Sequence, residues 1–382
     1  MPPSPGGSAR PTLPISWSLT ADRALPSGKD RTKAHLSTID ALRGLAALAV
    51  CLFHIGGSVA PKISTPQTAA AVAWGSHGVD IFFVISGFVI PYVMLRAGYR
   101  WPDAPRLLAR RVLRVAPPAF ILLLLTITQF WFIDRFVVGD HWFGALTARQ
   151  LLANFTFLVP FMGEAWINGV FWTLAIEFQY YIALALLFPL IVRSYGAALV
   201  CAMFLLGMSF LTPGVTDFFD VVGCFILGGI VLAYKERALS LRSTAALLLL
   251  TTAVIYLKQD LLAALFGAAA AGTLAAVTID NRFLNFLGKI SYSLYLTHIL
   301  IASTGEFFLL KLFHPGNLAS RCLMLLLLTG AAIVAATIFY HLVERHFVAL
   351  SHKVRSVAPR PVAGALPELP VAATTDGPAV LS

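Results

Sequence analysis

Arg43 and His54 lie in the run IDALRGLAALAVCLFH, residues 39–54, with ten residues between them. On a helix, eleven steps of about 100° come to about three turns plus ~20°, so the two side chains share a face, roughly 16 Å apart along the axis. One helix then carries a guanidinium near one membrane surface and an imidazole deep in the bilayer. An ionisable group at that depth is costly and marks a functional site by default, the plainer role being a histidine bonded to a neighbouring helix. Two carboxylates stand near it in depth. In FWTLAIEFQYYIAL (171–184), Glu177 falls two turns inside the same outer half of the bilayer, which His54 reaches after about fifteen residues at ~1.5 Å each, so a contact or a shared substrate is within reach. Asp80, in HGVDIFFVISGFVI (77–90), sits in a first helical turn, where helix capping alone would also account for a carboxylate.

The run RLLARRVLRVAPP (106–118) brings Arg110, Arg111 and Arg114 to a helix start, where two can share a face at a spacing of three or four. Cations there oppose the helix dipole unless they bind an anion. Either a ligand or a lipid headgroup phosphate would serve. In GKISYSLYLTHILI (288–301), Tyr292, Tyr295 and His298 recur every third residue and form one polar stripe, in which Tyr295 reads as a packing residue. Glu344 and Arg345, at the end of the last apolar run, read as interfacial charges.

The elements that position these groups follow from composition. With 58% hydrophobic and 12% charged residues and a mean hydropathy of +0.80, the 382-residue chain has too little polar surface for a soluble globule, in which about a quarter of residues are charged. Ten apolar stretches are read as membrane spans: 39–58, 77–95, 112–133, 170–192, 197–211, 218–234, 244–257, 261–279, 290–312 and 322–343. The fifth and seventh are short. Lipid offers backbone groups no partner, so the spans must be helices. The expected fold class is an all-α polytopic bundle of about ten transmembrane helices. With the N-terminus inside, 22 of the 28 lysines and arginines fall on the cytoplasmic side, which predicts that both termini are cytoplasmic. The net charge of +10 is then a topology signal. Nothing in the chain suggests nucleic-acid binding.

Residues 1–35 and 348–382 are expected to be disordered cytoplasmic tails around a membrane domain over 36–347, and no cleaved signal peptide is expected. Gly78 and Gly87 would allow helices to approach closely. Cys51, Cys201, Cys224 and Cys322 lie within apolar segments and suggest neither disulfides nor a metal site. The loop 134–168 is rich in aromatics, including Trp142, Phe155, Phe157, Phe161 and Trp166. It fits an interfacial belt and a cap over an outward cavity equally well.

Five segments resemble the acyltransferase 3 family: the D-x-x-R-G-x-A and R-x10-H pattern of 40–54, GVDIFFVISGF, RRVLRVAP, WTLAIEFQYY and SYSLYLTH, in that order. The likeness covers about 36–347, and His346 stands where relatives commonly have proline. The resemblance implies an integral membrane enzyme, of the branch without an esterase-like domain, that moves an acyl group from cytoplasmic acyl-CoA, with acetyl-CoA the default, to a hydroxyl of a polysaccharide, lipid-linked glycan or macrolide. On that basis Arg43, Arg110, Arg111 and Arg114 would hold the CoA phosphates, and no metal is expected. His54 would act as general base or be acylated itself, with Glu177 or Asp80 orienting it. Trp172, Tyr181, Tyr292 and His298 are candidates to bind the substrate. The expected partners are acyl-CoA, a carbohydrate or glycosylated acceptor and membrane lipids, in a bacterial inner membrane. A proton-coupled transporter or flippase, using His54, Asp80, Glu177 and His298 as a relay, is the alternative. It would call for inverted repeats, which the sequence does not display.

Overall fold

The computed structural model describes residues 28–138, 146–211 and 217–354. In chain order the helices are α1 (Gly28–Phe53), α2 (Pro66–Val72), α3 (Gly78–Arg96), α4 (Ala104–Ile133), α5 (Ala148–Thr156), α6 (Val159–Met162), α7 (Phe171–Ile191) and α8 (Tyr195–Leu211). They continue with α9 (Asp217–Lys235), α10 (Leu241–Lys258), α11 (Leu261–Ala276), α12 (Arg282–Lys289), α13 (Ser291–Leu312), α14 (Leu318–Phe339) and α15 (Arg345–Lys353). Among the described residues there is no strand, and eight helical stretches are long and apolar enough to cross a membrane. The shorter apolar α8 and α11 occupy the fifth and eighth places of the ten expected. The molecule is a multi-pass all-α membrane bundle.

Two boundaries differ from expectation for local reasons. Ser240 caps α10 by accepting from Ser243 N, which lengthens the seventh span to Leu241–Lys258. The eighth ends early, because Val277 leaves the helix in an extended conformation and Ile279 N donates to Thr38 Oγ1. Helix α1 begins at Gly28, ahead of the expected boundary at 36, and α15 runs on to Lys353, past 347. The remainder of the tails lies outside the described residues.

Small residues let the central helices touch. A Cβ on Gly87 of α3 would collide with Phe225 O, and one on Gly228 of α9 with Val84 O, so these two backbones meet where only glycine fits. The main core joins α3, α7, α9 and α11, and a second joins α4, α7 and α13. Large side chains such as Leu249, Leu326 and Leu342 remain exposed on the spans, as a surface facing lipid requires. In the 134–168 segment, Phe157 is buried against Phe120, Phe171 and Phe178. This part packs onto α4 and α7, while Phe161 stays exposed and Trp142 lies outside the described residues.

Successive spans run in opposite directions, which gives the bundle two ends. One, the basic end, gathers the starts of α4 and α13 and the ends of α3 and α9. The other, the far end, holds the turn 54–58 and the loop after it. There the Glu306 carboxylate accepts from Lys62 N (2.6 Å) and Ile63 N (3.2 Å), and Arg321 donates to the carbonyls of both residues.

Candidate functional site

A cavity of about 960 Å³ opens at the basic end, bounded by α1, α3, α4, α7, α9, α11, α12 and α13. Arg43, Arg96, Arg111, Arg114, Lys235 and Lys289 line it, with the carboxylates of Asp40, Glu177, Glu236 and Glu344. Arg43 is fixed by Ser291 Oγ, which accepts from Nε (3.2 Å) and Nη2 (3.1 Å). Arg111 lies over the Tyr181 ring at 5.4 Å, and the Tyr292 hydroxyl donates to Val115 O at 2.6 Å. Arg96 pairs with Glu236 at 2.8 Å.

Three turns along α1 from Arg43, His54 meets His298 of α13. His54 Nδ1 lies 3.0 Å from Val50 O and 3.2 Å from His298 Nε2, while His298 Nδ1 lies 3.0 Å from Leu294 O. A carbonyl can only accept, so Nδ1 of each ring carries the proton. His54 Nδ1–H is therefore shared between Val50 O and His298 Nε2. Its own Nε2 is left as a bare lone pair. His298 is fully buried and His54 half-buried. The rings of Phe82 and Tyr295 lie between this pair and the cavity: Arg43 is 6.0 Å from the Phe82 ring, Phe82 is 6.1 Å from Tyr295, and Tyr295 is 6.0 Å from His298.

Residues 36–341 match the acyltransferase 3 family model, described as "Acyltransferase domain". The chain belongs to the acyltransferase 3 family. It is also similar to the O-acetyltransferase OatA of Staphylococcus aureus, 27% identical over 165 residues, which are 41% of this chain and 25% of that protein. The putative peptidoglycan O-acetyltransferase YrhL of Bacillus subtilis is 26% identical over 40% of this chain and 24% of its own length. The peptidoglycan O-acetyltransferase OatA of Listeria monocytogenes is 25% identical over 40% and 24%. The chain thus matches about a quarter of the length of these curated relatives. No solved structure matches it.

Within the acyltransferase domain the expected residues separate into groups. Arg43, Arg111, Arg114, Glu177, Tyr181 and Tyr292 share the cavity, whereas Arg110 is not among its lining residues. His298 joins His54. Trp172 packs edge-on to Phe83, 6.5 Å away, in the main core. The expected carboxylate partner of His54 is replaced by an imidazole. Glu177 instead accepts from Ser86 Oγ at 3.5 Å inside the cavity, and Asp80 accepts from His77 Nδ1 at 3.0 Å and from the Cys224 thiol at 3.8 Å. Depth along a helix does not fix azimuth, and on α3 and α7 these carboxylates bond to groups other than His54.

Glu344 also departs from its expected role as an interfacial charge. It is buried and accepts from Ser293 Oγ (2.6 Å) and Ser293 N (3.1 Å). The π-helical turn Tyr340–Glu344, which changes the residue count per turn, carries it into the cavity wall. Arg96, Lys235 and Lys289 are cavity residues that sequence reasoning counted only as topology signals. Their place at the ends of apolar runs was the available clue.

Proposed function

We propose that this chain is a membrane O-acyltransferase that moves an acyl group, acetyl before others, from acyl-CoA to a hydroxyl of a glycan. The observation that carries the reading is a cation-lined cavity built on the same two helices, α1 and α13, as a histidine whose Nε2 is bare, with the Phe82 and Tyr295 rings between the two. At about 960 Å³ the cavity is at the upper end of the ~300–1,000 Å³ usual for small-molecule sites. Its arginines and lysines suit the phosphates of an extended donor. The excess of lysine and arginine on this end supports a cytoplasmic mouth, where acyl-CoA is supplied. The names of two relatives, from Bacillus and Listeria, refer to peptidoglycan, so a cell-wall glycan is the first acceptor to test.

In this mechanism His54 Nε2 takes the proton of the acceptor hydroxyl while its oxygen attacks the thioester carbonyl. The C–O bond forms, the C–S bond breaks, and the proton passes from His54 to the departing thiolate. His298 Nε2, accepting from His54 Nδ1–H, keeps the ring turned and shares the positive charge that develops. Phe82 and Tyr295 mark the route that the acyl end follows from the cavity.

The test is release of free CoA thiol from acetyl-CoA by the purified protein, with and without a soluble glycan. Acceptor-dependent release is expected, accompanied by O-acetyl on the glycan. Release that ignores the acceptor, or none at all, removes the reading. A burst of one thiol per protein before acceptor is added would mean that His54 is acylated first.

A further inference from the structure

The mechanism leaves Asp80 and His77 unused, and their surroundings at the far end form a second polar assembly. Asp80 is 2% exposed and holds His77 by Nδ1. His77 Nε2 points toward Asp260 Oδ1 at 3.9 Å, and the Asp260 side chain is 58% exposed. That gap is too long for a direct hydrogen bond. It leaves Nε2 and the carboxylate side by side for an outside ligand. The His77 ring stacks on Phe266 (5.7 Å, 18°), which stacks in turn on Trp74 (6.2 Å, 3°), and Trp74 is 41% exposed.

An exposed aromatic side chain joined through Phe266 to paired polar groups suits a pyranose. The apolar C–H face of the sugar lies on the ring, and two vicinal hydroxyls reach the imidazole nitrogen and the carboxylate. A membrane-interface role accounts for an exposed tryptophan but gives no purpose to a buried carboxylate that aims a histidine at a second, exposed one. The assembly also sits beside the chemistry. On the opposite side of the same segment, a Cβ at Gly75 would meet Ala49 O and one at Gly78 would lie 2.8 Å from Val50 Cγ2. Both glycines thus press on α1 just before His54.

We propose that Trp74, His77 and Asp260 form a sugar-binding subsite that holds a residue of the glycan neighbouring the one presented to His54. The placement next to the acceptor rests on the acyltransfer reading; the subsite itself does not. The probe is a β-1,4-linked N-acetylglucosamine tetramer, titrated calorimetrically into the full-length protein in detergent micelles. The wild type binds it. Trp74→Ala and Asp260→Asn each weaken binding by about tenfold, the scale of one lost contact to a charged or stacked group, while Trp74→Phe retains most of it. Asp260→Asn keeps an oxygen for the Ala263 N–H that caps α11, and unchanged acyl-CoA affinity reports that both variants fold. A wild type that does not bind the tetramer overturns the subsite. So does unchanged tetramer affinity in Trp74→Ala or Asp260→Asn. A wild type that binds the tetramer through these residues, yet never transfers acyl groups to it or to any other glycan, overturns the acyltransfer reading and leaves the subsite standing.

Discussion

Arg43 and His54 are carried by one helix, yet their surroundings are built on different principles. Arg43 shares its cavity with five other cations and four carboxylates drawn from most of the bundle. His54 has one hydrogen-bonding partner ring, His298, and both imidazoles are oriented by carbonyls of their own helices. The first arrangement spreads a charge requirement over many side chains, so no single one is decisive. The second assigns one proton position to one nitrogen, and among the described residues no side chain but His298 hydrogen-bonds that ring. The chemistry is therefore expected to be fragile and the binding robust, and variants at the two places can break or sharpen that contrast.

The largest effect is expected at His54. His54→Ala should abolish acyl transfer and leave membrane insertion and acyl-CoA affinity largely intact, as thiol release and calorimetry would register. Transfer at the wild-type rate would place the base elsewhere. Next is His298, which in the proposed mechanism acts through His54. His298→Phe keeps a ring of similar shape and removes the acceptor for His54 Nδ1–H. It should lower kcat by about 10²–10⁴-fold, the range for acid-base assistance, with donor KM nearly unchanged. Combined with His54→Ala it should add nothing, because residues acting as a unit are not additive. A raised KM at constant kcat would show that His298 only packs.

Glu177 tests the border between the two regions. Equal depth with His54 predicts a kcat effect, whereas its seat beside Ser86 in the cavity predicts a binding effect. The structure favours the second. Glu177→Gln removes a negative charge from the proposed donor site and should change donor KM by severalfold at similar kcat. A fall of kcat by 10²-fold or more would return Glu177 to the side of His54.

That reversal shows where the sequence stops being informative. Apolar runs, helix spacing and lysine bias are local or additive properties, so the spans and the common face of Arg43 and His54 were legible. Azimuth between helices depends on close contacts such as Gly87 with Phe225 and Gly75 with Ala49, which pair residues far apart in the chain. Glu177 and Asp80 therefore could not be assigned partners from depth. Glu344 was hidden by a π-helical turn, which a regular 3.6-residue period does not anticipate. His298 fell on the expected polar stripe, but its contact with His54 spans 244 positions. Arg96, Lys235 and Lys289 were visible as charges and explained by topology alone, since one cation can serve both topology and a ligand.

The smallest effect is expected among the cavity cations, and Arg110 and Arg114 make the comparison internal to one helix. They lie one turn apart on α4, where either a ligand phosphate or a lipid headgroup would be neutralised by the same charge. Arg114 lines the cavity with Arg111, while Arg110 does not. If the cavity holds the donor, Arg114→Gln loses one charge-assisted contact out of several and should raise donor KM roughly three- to tenfold with kcat unchanged, consistent with the ~0.5–1.5 kcal/mol net worth of a typical hydrogen bond. Arg110→Gln should leave donor KM within about twofold, because Arg110 does not line the cavity. Equal effects at both positions would mean that the arginine run anchors the protein to anionic lipid, and that the donor phosphates are held elsewhere.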